Sequence, residues 1–326
     1  MAHEIDLSNG RANLAYTGVT PWNGLGQELS EDSPLDVWCE EAGLNWRALE
    51  HEVLSYDPVS RESTFFPGQK ALIRSDNGMP LSLVSNTYKV VQPEQVMNFY
   101  KDLIDAQGFR MQTAGALKGG KVIWALAKTG ENVDLGEDQV GGYLLLSTSF
   151  DKTMATRAQF TSVRVVCNNT LSCAIRNTAG ERQKDWISIG HNAVFKPELI
   201  KAQLGIGEGV WQRFALDIKG MANTRISKVD AKQFFVDAIT GKDDQEVDMH
   251  VYKPKFTQIY NLYNGGGKGS TLDSANGTVW GAVNAVTEFA DHVAGRDNDS
   301  RLNSAWFGGG AKLKARAFDL GLRLAA

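Results

Sequence analysis

The sequence predicts an α+β protein: an antiparallel β-rich core with flanking helices and a helical C-terminal region. Three observations carry that expectation. In "QKALIRSDNGMPLSLVSNTYKVV", Asn77-Gly78 separates two extended runs, the pair that two-residue hairpins favour. "KVIWALA" (121–127) is apolar on both faces, as a central strand is. Beyond Thr170 the apolar spacing lengthens to that of helices. The chain divides into an N-terminal arm with a short helix (1–58), a β-rich core (59–185) and a mostly helical region (186–326).

The elements follow in order. The first thirty residues are rich in Gly, Asn and Ser and read as an arm with turns. Ser33 suits an N-cap and Pro34 a first helical position, with Leu35, Trp38 and Cys39 on the apolar side and Gly43 at the end. "GLNWRALEHEVLSY" leads into extended chain. Pro93 opens a helix through "PEQVMNFYKDLIDAQG", closed by Gly108. Strands are expected in "FRMQTAGAL", "KVIWALAKTG", "YLLLSTSF" and "TMATRAQFTSVRVVCNNT", with a turn at Lys118-Gly119-Gly120. In "TMATRAQFT", Met154, Ala158 and Phe160 alternate with Arg157, Gln159 and Thr161, the pattern of a half-buried strand with one polar face. "LSCAI" reads as helix. Ser227 with Asp230 forms a capping signal for "KVDAKQFFVDAIT", which ends at Gly241. Further helical runs cover 254–263, 278–293 and 312 to the end.

Composition limits the function classes. With 326 residues, 42% of them hydrophobic, the chain can bury a sizeable core. No apolar run reaches the eighteen or so residues of a membrane span, and no basic n-region with an apolar h-region opens the chain, so neither a span nor a secretory signal is expected. Cys39, Cys167 and Cys173 are an odd, sparse set without a second metal-ligand pair, which fits a reducing cytoplasm and no metal site. The net charge of −4 is unevenly spread. Residues 148–228 hold twelve Lys/Arg against six Asp/Glu, a surplus of +6 that leaves −10 for the rest. Such asymmetry suits a polyanion groove in an acidic protein.

Catalytic motifs fail their spacing tests. "NGGGKGST" (264–271) has Leu262 where a phosphate loop needs glycine, and Gly269 where it needs Ser or Thr. No nucleophile elbow, metalloprotease pair or dinucleotide fingerprint occurs. Asn284, Glu288 and His292 line up one turn apart with Asp291 beside them, half a metal site or a solvated face. His191 near Cys173 is a conceivable Cys/His nucleophile pair, or a structural histidine after a strand. No cofactor is expected. The densest constellation is "SFDKTMATRAQFTSVRVVCNNTLSCAIRNTAGERQK". Its arginines and lysines, with Asn168 and Asn169 at an expected strand-to-helix junction, suit phosphate contacts. The alternative is that Arg164 is buried in an ion pair and the asparagines cap the helix.

Several stretches resemble one known family. They are "PWNGLG" with "AGLNW", "SNTYKVVQPEQV", "TAGALKGGKVIWALA", "YLLLSTSFDKTMATRAQFTSVRVVCNNTL" and "GTVWGAVNAVTEFADH". Together they are similar to the phage/plasmid-like protein family, built on a domain of unknown function. That family usually shows Trp-His-Gly in the first motif, where this chain has Asn23, and Asp-Gly after "SF", where it has Asp151-Lys152. The resemblance implies a mobile-element context. In organisation alone the chain looks like phage single-strand annealing recombinases, which hold DNA by its backbone as rings or filaments.

The expectation is therefore a non-enzymatic, cytoplasmic, oligomeric protein that binds and anneals single-stranded DNA, with a phage or plasmid exonuclease as a further partner. Lys118, Lys121, Lys152, Arg157, Arg164 and Arg176 would grip phosphates, and Asn168 and Asn169 would add hydrogen bonds. Phe160 would stack on bases or lie in the core. Trp22 would dock the arm onto the core or a neighbouring subunit. Two alternatives stand beside it: a structural or partner-binding protein without DNA, and an enzyme centred on Glu288, Asp291 and His292.

Overall fold

The computed structural model describes residues 5–8, 10–18, 25–164, 166, 169–172, 175–176, 182–184, 186–204, 210–241, 249–295 and 298–326. Trp22 and Asn168 lie outside the described residues, as do the side chains of Asn169 and Arg176.

The chain begins with β1 (Leu14–Thr17) and β2 (Gln27–Leu29), then α1 (Leu35–Glu41). A three-stranded sheet follows, β3 (Ala48–Tyr56), β4 (Ser63–Arg74) and β5 (Pro80–Ser85). After α2 (Pro93–Asn98) and α3 (Lys101–Gln107) come the long strands β6 (Arg110–Leu117), β7 (Val122–Asp134), β8 (Gln139–Ser149) and β9 (Thr156–Arg164). Short strands β10 (Asn169–Ser172), β11 (Ile175–Arg176), β12 (Arg182–Lys184) and β13 (Ile187–Ile189) close the β region. The rest is helical: α4 (Pro197–Gln203), α5 (Val210–Asn223), α6 (Lys228–Thr240), α7 (Met249–Asn261), α8 (Val279–Glu288), α9 (Asn298–Phe307) and α10 (Gly309–Ala325). The α+β class with antiparallel sheets and C-terminal helices is the one the sequence predicts.

The main sheet runs β10-β9-β8-β7-β6-β1-β2, with β13 also on β9. β7 is central and its first six residues are buried, as "KVIWALA" requires. One face carries Ala114, Ala125, Leu144, Leu146 and Phe160 and packs in one continuous core with α2, α5, α6, α8 and α10. Tyr100 anchors this layer, its hydroxyl donating to the Ala125 carbonyl at 2.6 Å. The other face carries Trp124, Leu126, Tyr143 and Leu145, packed against Trp306 and Phe307 of α9.

Four local expectations are corrected. The first thirty residues are not only an arm, since β1 and β2 extend the main sheet. Ser33 does not cap α1: its hydroxyl pairs with that of Ser30, and Pro34 holds the N-cap position. The helix from Pro93 breaks at Phe99-Tyr100 into α2 and α3, because both aromatic rings turn into the core. The described part of "LSCAI" is strand. β10 pairs antiparallel with β9, placing Asn169 opposite Arg164, so no helix N-terminus follows the asparagines. The Asn77-Gly78 hairpin, the Ser227 cap and the Gly241 stop form as the sequence predicts: Arg74 N–H donates to the Met79 carbonyl, Ser227 accepts from the Asp230 N–H, and Gly241 is left-handed.

The β3–β4 hairpin extends beyond β5 as a free ribbon. Residues 54–68 are exposed at every position, although the ribbon keeps its register, with Leu54 opposite Phe65 and Tyr56 opposite Ser63.

Candidate functional site

Two turns at one end of the main sheet carry three of the predicted lysines. Lys118–Gly120 is a tight 3-10 turn between β6 and β7 in which Lys118 (φ 54), Gly119 and Gly120 are all left-handed. Arg74 holds it from beneath. This buried guanidinium donates to the Gly119 carbonyl at 3.2 Å, pairs with Asp6 and with Asp76, and lies 4.6 Å from the centre of the Trp46 ring. Burial opposes its charge, but the Asp76 and Asp6 carboxylates outweigh burial and raise its pKa above the ordinary arginine value.

The second turn, 150–154, joins β8 to β9. The Asp151 carboxylate accepts from the Thr153 N–H and hydroxyl, and the Ser149 hydroxyl donates to the Met154 carbonyl at 2.8 Å. Ser82 and Tyr88 donate to the carbonyls of Phe150 and Ser149. His191 stacks on Tyr88 at 4.4 Å, with Nδ1 3.1 Å from the Lys89 carbonyl and Nε2 3.2 Å from that of Met154. A neutral ring donates to one of these carbonyls, a protonated ring to both. Phe150 N–H donates to the Lys121 carbonyl at 2.8 Å, tying the two turns together. Lys118, Lys121 and Lys152 are thus presented by one rigid edge. Lys152 is exposed and left-handed (φ 68), a conformation that costs an L-residue more than glycine. Among the described residues, neither Lys121 nor Lys152 forms an ion pair.

Arg157 lies on β9, half-buried, its guanidinium carbon 4.7 Å from the centre of the Trp186 ring. Burial pushes its pKa down. Among the described residues it has no carboxylate partner, and its Nε has no hydrogen-bond partner.

Arg164 is elsewhere. It is 2% exposed, and its guanidinium meets Asp138 through Nε at 2.8 Å and Nη2 at 2.8 Å. Asp138, itself fully buried, also accepts from Ser274 and Trp280. This is the structural alternative for Arg164, and the residue leaves the set that can reach a polyanion. Phe160 is buried in the core, so it is no stacking platform. β10 presents Asn169 beside this seam, and Arg176 lies on the small β11–β12 sheet.

The glycine-rich loop belongs to the same seam. Gly269 and Lys268 carbonyls accept from Arg164, while Lys268 N–H donates to Glu288 at 3.1 Å. Its backbone therefore serves internal partners. Asp291 accepts from the Thr170 N–H at 2.6 Å and pairs with Lys314 at 2.7 Å, and Lys314 also donates to the Thr170 hydroxyl. Glu288 and Asp291 are thus engaged separately, and the described residues contain no group of three metal-ligating side chains.

Sequence reasoning missed Asp138, Lys314 and Trp186. Asp138 lies in an ordinary acidic turn and Lys314 among surface-type cations, so only their partners distinguish them. An Arg at one strand position and a Trp on a nearby extended run was a signal, but pairing them needs the β9–β13 register.

These features define an α+β domain with a basic sheet end and a separate buried ionic seam. Residues 80–306 match the profile of a domain of unknown function, DUF932, and the chain belongs to that family. No curated protein and no solved structure matches the chain. Among the described residues no helix is long and apolar enough to cross a membrane.

Proposed function

We propose that the protein is a nucleic-acid-binding recombination or replication accessory protein of a phage or plasmid, acting as a cytoplasmic oligomer that anneals single-stranded DNA. The observation that supports this reading best is the pairing of the two turns, which sets Lys118, Lys121 and Lys152 on one edge. A left-handed lysine at position 152 keeps a cation where glycine would fit more easily. A row of cations on a rigid edge contacts phosphates without reading bases, and annealing needs base edges left free. No covalent chemistry is required, and an exonuclease that makes single strands is the fitting partner.

The test is retention of a labelled single-stranded oligonucleotide, and annealing of its complement, at low and moderate salt. Binding should fall steeply with salt, and Lys121→Glu with Lys152→Glu should abolish it in a folded protein. No retention at low salt overturns the reading.

A second reading, partner binding without DNA, is favoured by the free ribbon. Leu54, Tyr56, Val59, Phe65 and Phe66 are exposed there, Val59 at 91%, and isolated two-stranded hairpins are marginal in water. A variant with the ribbon shortened that binds DNA normally but loses self-association assigns the ribbon to assembly.

A further inference from the structure

Trp124, Ser147 and Arg157 are directly opposed on β7, β8 and β9. Opposed residues share a face of the sheet, so the three side chains form one row across it. Gly115 precedes them on β6, and the Trp124 ring crosses over it, 2.8 Å from where a Cβ would stand. Ser188 on β13 continues the row.

Among the described residues, three polar atoms in this row lack a partner: Trp124 Nε1, Ser147 Oγ and Arg157 Nε. Trp124 and Ser147 are 2% and 1% exposed. Buried donors are almost always paired, so each exception needs a cause. Three on adjacent strands need a common one.

The charge narrows the cause. The fully buried cations have carboxylates: Arg74 has Asp6 and Asp76, Arg164 has Asp138, and Lys314 has Asp291; half-buried Arg157 has none among the described residues. Arg157 has the face of Trp186, which favours a cation but cancels no charge. A neutral acceptor would satisfy the donors and leave the charge. An oxyanion answers both.

We propose that the Trp124–Ser147–Arg157 row, flanked by Trp186, is a binding site for a tetrahedral oxyanion of the phosphate type. Arg157 supplies charge and N–H groups, Ser147 a hydroxyl and Trp124 an indole N–H, while Trp186 holds the guanidinium plane. Free phosphate and the phosphodiester of a strand share this chemistry. For the second source the inference rests on the nucleic-acid reading above; for the first it does not.

The experiment titrates the full chain with inorganic phosphate, against chloride at equal ionic strength, following tryptophan fluorescence and melting temperature. A labelled oligothymidylate forms the second arm. Phosphate should change the fluorescence saturably and raise the melting temperature. Arg157→Gln should weaken phosphate at least ten-fold, and Ser147→Ala about five-fold, the size of one hydrogen bond. Phosphate acting no differently from chloride overturns the site, whatever the variants do, as does unchanged phosphate affinity in folded Arg157→Gln. Phosphate that binds and displaces the oligonucleotide supports the site and assigns it to the strand. Phosphate binding without any oligonucleotide binding supports the site and removes the nucleic-acid reading. Oligonucleotide binding that needs Lys121 and Lys152, in a protein indifferent to phosphate, overturns the site and leaves that reading standing.

Discussion

Arg164 and Asp138 form a buried, multiply bonded ion pair between β9 and the β7–β8 turn, and the helical layer closes over it through Ser274, Trp280 and the carbonyls of the glycine-rich loop. The pair joins three stretches far apart in the chain. Removing one partner strands the other charge in the interior, which typically costs about 3–5 kcal/mol. Asp138→Ala should lower stability by that order in a denaturant titration. Asp138→Leu with Arg164→Met should recover much of it, because no charge is then left alone. Equal stability of Asp138→Ala and the native chain would show that the pair does not bear on folding.

Lys152 tests conformation against charge. Its backbone is left-handed, so Lys152→Gly should leave stability unchanged or raise it by roughly 0.5–1 kcal/mol. The same change should weaken single-strand binding and reduce the magnitude of the salt slope by about 0.7 if one phosphate contact is lost. Denaturant midpoints and salt-dependent binding isotherms separate the two effects. Lower stability together with unchanged binding would contradict both expectations.

Asp6 gives a pH dependence with a defined sign. Burial alone would raise its pKa, but the Arg74 guanidinium, the Ser8 amide and hydroxyl and the Asn13 amide outweigh burial and hold the carboxyl below its ordinary value. A folded pKa below the unfolded one means that the unfolded chain binds protons first as pH falls. The contribution is therefore present above the unfolded value of about 3.9 and is lost as pH falls through the lower folded value. Stability measured across the acid range should fall less steeply with acid in Asp6→Asn, which should be less stable than the native chain near neutrality. An identical acid profile would rule out this contribution.

The ribbon at residues 54–68 should behave as the least protected ordered segment. Its backbone hydrogen bonds are open to water, whereas Val122–Ala127 is buried. Hydrogen exchange should be fast in the ribbon and slowest in β7, and limited proteolysis should cut first near Val59. Replacing 54–68 by a short turn should leave the melting temperature nearly unchanged. A large drop would mean that the ribbon stabilises the domain.

Much of the fold was legible in local chemistry. Asn77-Gly78 sets a turn through the positive φ of Gly78, Ser227 accepts from the Asp230 N–H, and Gly241 stops α6. These signals act over a few residues and need no partner. The misreadings fall where tertiary contacts decide. Leu171 is buried on a strand because β9 offers an open edge, and α2 breaks from α3 where Phe99 and Tyr100 enter the core. Of the cations the sequence grouped together, Lys118, Lys121 and Lys152 come to one sheet end whereas Arg164 is buried in an ion pair, because charge type is visible in a sequence and burial of a single strand residue is not.

The sequence by itself determined the α+β class, the hairpin and helix boundaries and the positions of the cations, since periodicity, turn residues and caps are local properties. Only the tertiary structure decided which cations are neutralised. Asp138 reaches Arg164 from 26 residues away and Asp291 reaches Lys314 from 23, while Arg157 has the face of Trp186 and, among the described residues, no carboxylate. Pairing of charges depends on distance and desolvation in space, and strand register and helix packing fix both.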